Sequence, residues 1–179
     1  MNALKIIGVA VAGIIVLLLV VAIFVNGKYA VEREVTINKS KQQVYDYVKY
    51  LKNQNQFSVW AKIDPEMKTE FRGEDGTVGF VSAWDSQNKK AGKGEQKILK
   101  IDEGNRIDYE LHFIKPMESI DYAFMEFKAV NDSITTVKWN FHGEMKYPMK
   151  LMLLFMNMEK MLAPDLQNGL INLKTILEK

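Results

Sequence analysis

From Ile6 to Val25 the chain runs twenty residues without a charge, in Ile, Val, Leu, Ala, Gly and one Phe. As a helix rising about 1.5 Å per residue, that run reaches roughly 30 Å, the thickness of a bilayer's hydrocarbon core. No soluble core of a chain this size needs such a stretch, so residues 1–27 are expected to form a single-pass membrane anchor. The folding problem is then left to residues 28–179. A cleaved leader is the alternative, but leader cores usually run only ~7–15 residues, and Val25-Asn26-Gly27 fits a cleavage site poorly. Lys5 flanks the run on one side and Lys28 and Arg33 on the other, so the positive-inside rule is nearly balanced. A short N-terminal tail normally stays in the cytosol, which places the domain outside it.

Charge narrows the class of function. The chain carries 24 basic and 22 acidic residues, and only Lys5 lies in the first 27, so the domain is close to neutral. Nucleic-acid binding normally needs a basic patch, and none is expected. There is no cysteine, which excludes disulfides, thiolate metal sites and cysteine nucleophiles.

After the anchor, Tyr29 to Ile37 alternates as a half-exposed strand does. Ser40 followed by Gln43 has the form of a capping box, so a helix is expected there, with Val44, Tyr47, Val48 and Leu51 on its apolar face. A second short helical turn follows around Phe57 to Trp60. From Lys68 to Gly143 the chain reads as an antiparallel meander, with turns at 73–76, 85–94, 102–105, 115–118 and 131–133. Ile107, Tyr109, Leu111 and Phe113 share one face of their strand, and Val137, Trp139 and Phe141 share one face of another. The strand from Ile120 to Ala129 is apolar on both faces, so its register is open.

The tail from Tyr147 to Lys179 reads as one long helix, bent or restarted at Pro164. Leu151, Leu154, Phe155, Met158, Leu162, Leu166, Leu170, Leu173 and Leu177 recur at steps of three and four, one stripe on a 3.6-residue period. A sheet with one apolar face needs a cover, and this helix is the one available. The expected class is therefore α+β, about six or seven curved antiparallel strands wrapped around a long C-terminal helix. A second stripe, Met149, Met152, Leu153 and Met156, could instead serve a protein partner or a second copy.

Catalytic signals are sparse. His112 and His142 fall on polar strand faces and lack metal-ligand spacing, so no metal site is expected. Gly92, Lys93 and Gly94 belong to a hairpin turn rather than a phosphate loop, and no serine sits in a nucleophile-elbow setting. The sequence points to no cofactor and no catalytic residue set; an enzyme would have to turn Tyr109, Glu110, His112 or loop acids inward. Trp60, Trp84, Tyr109, Phe113, Met125, Trp139, Phe155, Met158 and Leu162 are the candidates to line a site for a hydrophobic small molecule between sheet and helix. Aromatic and methionine side chains suit an apolar, adaptable pocket.

Several stretches resemble one superfamily: VEREVTINKSKQQVYDYV at 31–48, VWAKIDPEMKTEFRGEDGTVG at 59–79 and GKGEQKILKI at 92–101. RIDYELHFIKP at 106–116, TTVKWNFHGEMKYP at 135–148 and LQNGLINLKTILE at 166–178 continue the likeness. Together they resemble the helix-grip fold of the SRPBCC superfamily, of START-like and Bet v-like proteins. The nearest type is the polyketide cyclase/dehydrase and lipid-transport type carrying an N-terminal anchor. The resemblance implies a deep apolar cavity for a lipid-, quinone- or polyketide-like molecule, with cyclase or dehydratase activity in a minority of members. Ala163-Pro164 departs from the pattern, since such helices often have a glycine there.

Overall fold

A computed structural model describes residues 3–179. Helix α1 spans Ala3–Phe24, and β1 (Lys28–Ile37) begins after a linker of three residues. Two short helices follow, α2 (Lys41–Val48) and α3 (Leu51–Phe57), then a 3-10 turn at Trp60–Lys62. Six strands complete the sheet: β2 (Lys68–Arg72), β3 (Val81–Asp85), β4 (Lys93–Asp102), β5 (Arg106–Lys115), β6 (Ser119–Asn131) and β7 (Ile134–Glu144). A 3-10 helix (Met149–Leu154) and α4 (Met158–Leu177) end the chain.

The seven strands form one antiparallel sheet in the order β1-β7-β6-β5-β4-β3-β2. β1 forms one edge of the sheet, returning to pair with β7 over its whole length, Lys28 with Glu144 through Ile37 with Thr135, while β2 forms the other edge. Alternation then sets the inner face: Val31 and Ile37 on β1, Ile107 and Tyr109 on β5, and Val137, Trp139 and Phe141 on β7 are all buried. On β6, whose register was open, Asp121, Ala123, Met125 and Phe127 point in and Tyr122 and Glu126 point out. Against this face lie Ala163, Leu166, Leu170 and Leu173 of α4. The three leucines are successive members of the expected stripe, and all four side chains are fully or nearly fully removed from water.

Helix α2 starts where the capping box requires. The Ser40 hydroxyl accepts from the Gln43 N–H, and the Gln43 carboxamide accepts from the Ser40 N–H. Its buried face differs in one residue from the expectation: Val44, Tyr45 and Val48 point inward, and Tyr47 is only half-buried. The buried Tyr45 hydroxyl is satisfied by donating to Glu103 at 2.9 Å, which lets the larger ring pack edge-on against Phe127.

The C-terminal segment departs further from its periodicity. It is not one helix from Tyr147, and Pro164 does not interrupt it. The break lies at residues 155–157, where Asn157 leaves helical geometry and its side chain accepts from the Lys160 N–H at 3.0 Å, capping α4. Leu154 and Phe155, placed by spacing on the core stripe, are instead exposed, Phe155 by 81%. Of the second stripe, Met149 is exposed and Met152, Leu153 and Met156 are half-buried. Pro164 sits inside α4 on the solvent side. It lacks the N–H that would bond the Lys160 carbonyl, a loss worth about 3 kcal/mol in a helix interior. Pro164→Ala is therefore expected to stabilise the domain by about 2 kcal/mol, after allowing for the stiffer unfolded chain that proline provides. Denaturant titration checks this, and an unchanged or lower midpoint would mean the helix has already adapted to the ring.

Candidate functional site: a tryptophan-lined cavity

Between the inner sheet face and α4 the packing leaves a cavity of about 240 Å³. It forms where Trp84 and Phe113 of the sheet, Trp60 of the 3-10 turn, and Leu162 and Leu166 of α4 fail to meet. Three tryptophans occur in the chain, and all of them line this space.

Two glycines seat these rings. A Cβ on Gly94 would come within 2.6 Å of Trp84 Cζ2 and 2.7 Å of the His112 carbonyl oxygen, so the indole rests directly on β4 backbone. A Cβ on Gly169 would come within 2.7 Å of Trp139 Cζ3, so α4 approaches β7 closely at that ring. Trp139 then meets Phe57 and Trp60 edge-on, with ring centroids 5.8 and 6.1 Å away. Such edge contacts are favourable for aromatic quadrupoles. Trp84 meets Phe113 in the same way and donates its indole N–H to the Ala91 carbonyl at 3.0 Å.

The polar part of the wall is a pair of carboxamides. Gln54 of α3 and Gln96 of β4 exchange hydrogen bonds, Nε2 to Oε1 at 3.3 and 3.1 Å, and both are buried. Each amide thus uses one N–H and keeps the other, together with acceptor capacity on its oxygen. Ser58, also buried, adds a hydroxyl to the lining. Among the described residues that line the cavity, Lys90 is the one ionisable side chain, and it sits exposed at the rim. Glu110 and His112 alternate outward, and His112 Nε2 lies 3.4 Å from Glu118 at the surface. Neither supplies acid–base chemistry to this space.

The nine candidates therefore separate. Trp60, Trp84, Phe113, Trp139 and Leu162 line the cavity. Tyr109 and Met125 lie deeper in the core, Met158 packs on the core's edge, and Phe155 is at the surface. Tyr109 is the odd member of that core: its hydroxyl is buried and has no hydrogen-bond partner. Burial pushes its pKa well above the usual phenol value. Gln54, Gln96, Ala123 and the two glycines were not singled out by sequence reasoning. Only Gln96, a polar residue flanked two positions on by buried Ile98, carried an alternation signal that could have found it.

Residues 28–178 match the family described as polyketide cyclase / dehydrase and lipid transport. No curated protein matches the chain. Among solved structures, the chain is similar to norcoclaurine synthase from Thalictrum flavum in complex with dopamine and hydroxybenzaldehyde. The TM-score is 0.61 at 9% identity, covering 85% of this chain and 87% of that one. A protein from Chromobacterium violaceum aligns with TM-score 0.58 at 12% identity, over 84% and 97% of the two chains. One from Thermobifida fusca aligns with TM-score 0.55 at 18% identity, over 83% and 92%. At these identities the likeness is one of fold.

Proposed function

Because the chain belongs to the polyketide cyclase / dehydrase and lipid transport family, we propose that it is a membrane-anchored binding module for a small, ring-bearing hydrophobic molecule. The observation that carries this reading is the cavity of about 240 Å³ with its three tryptophans and its amide pair. Apolar walls with a few placed polar groups are the usual composition of ligand sites. The volume limits the size of the guest. An engineered cavity of ~150 Å³ holds a benzene ring, so this one holds a ring and a short substituent, while a sterol or a diacyl lipid would overfill it. A quinone head or a monocyclic polyketide-like ring fits, with its carbonyl or hydroxyl oxygens facing the free amide N–H groups of Gln54 and Gln96. Any longer chain on the ring would leave through the mouth. General acid–base catalysis by a carboxylate or imidazole has no group in the wall, so the site is read as binding rather than turnover. Helix α1 is the anchor: Lys5–Phe24 is long and apolar enough to cross a membrane, and of its described side chains only Ala22 is buried against the domain.

Because all the chain's tryptophans surround the cavity, their fluorescence reports on its occupancy. Titrating the full-length protein in detergent with a short-chain benzoquinone is expected to give saturable quenching. At 100 times the dissociation constant, stability should rise by about 2.7 kcal/mol. Ala123, nearly fully buried and part of the wall, offers the control. Ala123→Leu places a side chain into the space and is expected to weaken binding at least about tenfold, a change of ~1.4 kcal/mol. Quenching that grows linearly without saturation, equally in Ala123→Leu, would sink the proposal.

A further inference from the structure

The cavity and the anchor lie at the same end of the domain. Strand pairing shows this directly: Lys68 opposes Asp85, Asp85 opposes Lys93, Lys93 opposes Lys115, Phe113 opposes Ser119, Tyr122 opposes His142 and Glu144 opposes Lys28. The starts of β2, β4, β6 and β1 and the ends of β3, β5 and β7 thus form a staggered row at one end of the sheet, stepping two residues along β5, three along β6 and two along β7. Lys90, Ala91 and Met67, on the exposed side of the cavity wall, belong to that row's loops. Lys28 also begins β1 directly after α1, from which it is separated by a linker of three residues that extends at most about 11 Å.

The segment Met149–Phe155 fastens this end to the anchor. Lys150 Nζ donates to the Ile23 carbonyl oxygen at 3.2 Å, in the last turn of α1. The Met145 N–H donates to the Gly27 carbonyl oxygen at 2.9 Å. A span that leaves hydrocarbon near Phe24 therefore holds this segment at the depth where acyl chains give way to headgroups. At that level the segment exposes Met149, Leu154 and Phe155, and Tyr147 just before it is exposed too. Singly exposed apolar side chains are ordinary, but four within nine residues, beside a membrane span, match the apolar face of an interfacial segment.

Charge divides the two ends in the same sense. Loops at the anchor end carry Lys62, Lys89, Lys90, Lys146 and Lys150 against Asp64, Glu66 and Glu118, while turns at the far end carry Glu74, Asp75, Glu103 and Asp132 against Lys39. Lysines near an anionic lipid surface attract it, and acids at the far end keep that end in water.

We propose that Met149–Phe155 is a second, interfacial membrane contact that holds the mouth of the cavity against the bilayer, so that the ligand enters from lipid rather than from water. The proposal rests on reading α1 as a membrane span. A lipid-resident ring compound would then reach Trp60 and Trp84 without crossing bulk solvent, and the orientation of the domain follows from two points of attachment instead of one.

The test places a photoreactive benzoylphenylalanine at single positions of the full chain, reconstituted in phosphatidylcholine–phosphatidylglycerol nanodiscs. Phe155→benzoylphenylalanine is the probe. Val130, exposed at the far end on β6, is the negative control, and Val11, mid-way along α1, reports the span. The expected result is lipid adducts at 11 and 155, with roughly tenfold or more adduct at 155 than at 130, as a residue partitioned into the interface requires. Lipid adducts at 11 with none at 155 overturn this proposal and leave the anchor standing. Absence at both overturns the anchor reading as well. Adducts from 155 to a second copy of the chain, in place of lipid, also overturn it and assign the surface to self-association. Both exposed positions tolerate the change without touching the core, and an unchanged melting temperature confirms the fold.

Discussion

Replacing Trp139 by alanine is expected to destabilise the domain by about 3–5 kcal/mol, the range for truncating a large buried aromatic. The ring is almost fully buried where four elements meet: β7 carries it, Gly169 of α4 lies beneath it, and Phe57 and Trp60 stand edge-on to it. For a domain of this size each kcal/mol moves the melting temperature by about 2–4 °C, so the variant should melt roughly 10 °C or more below the parent. Trp139→Phe keeps a ring in the slot and is expected to lose appreciably less. Calorimetry or thermal circular dichroism distinguishes them. A loss under about 1 kcal/mol for Trp139→Ala would mean that the cavity wall is soft and reshapes around the vacancy, against the rigid ring seat described here.

Raising the pH above about 10 is expected to unfold the protein steeply. Tyr45 and Tyr109 are fully buried, and Tyr29 donates to the buried Asp121 at 2.7 Å. Burial raises the pKa of all three, and hydrogen bonds to carboxylates add to the effect for Tyr29 (from Asp121) and Tyr45 (from Glu103). The folded chain therefore holds these protons past the pH at which the unfolded chain, with phenols near ~10, releases them. More protons bound in the folded state means that stability falls as pH rises. The contribution is intact below about 10 and is lost progressively above it, by up to ~1.4 kcal/mol per pH unit for each phenol. Against a total of about 5–15 kcal/mol, one to two pH units are decisive. Urea titrations at intervals above pH 9 measure the slope. Tyr109→Phe should lower that slope and also raise stability at neutral pH, since it removes a buried hydroxyl that has no partner. A slope unchanged by Tyr109→Phe would show that the Tyr109 phenol takes no part in alkaline unfolding.

Much of the fold was legible because its signals are local. Period-two alternation marked the inner residues of β5 and β7, Ser40 and Gln43 marked the start of α2, and Leu166, Leu170 and Leu173 marked the inner face of α4. Each depends on a few neighbours along the chain. The long helix from Tyr147 misread the sequence for a related reason. Spacing at three and four continues through Leu151 to Leu162, and nothing local in that periodicity says that Asn157 would rather cap a new helix than continue an old one. The competing hydrogen bond from the Lys160 N–H to the Asn157 side chain outweighs the pattern, and Leu154 and Phe155 turn outward as a result.

The site was legible only in part. Trp60, Trp84, Phe113, Trp139 and Leu162 were singled out as apolar residues on inward faces, and they do line the cavity. Tyr109 and Met125 share those faces, yet they lie in packed core, because periodicity reports direction and says nothing about depth. Gln54 and Gln96 are 42 positions apart, and their reciprocal amide bond exists only because α3 lies over β4 in the folded chain.

Sequence by itself determined the anchor-length apolar run, the α+β class, the inward faces of the strands and the family, since each is written in composition, period or local motif. Tertiary structure decided where the last helix begins, which apolar residues stay exposed beside α1, and that a ring-sized space remains between sheet and helix. A cavity is what close packing fails to fill. Its volume depends on how distant side chains interlock, as Gly94 does with Trp84 and Gly169 with Trp139, and no local pattern encodes that distance.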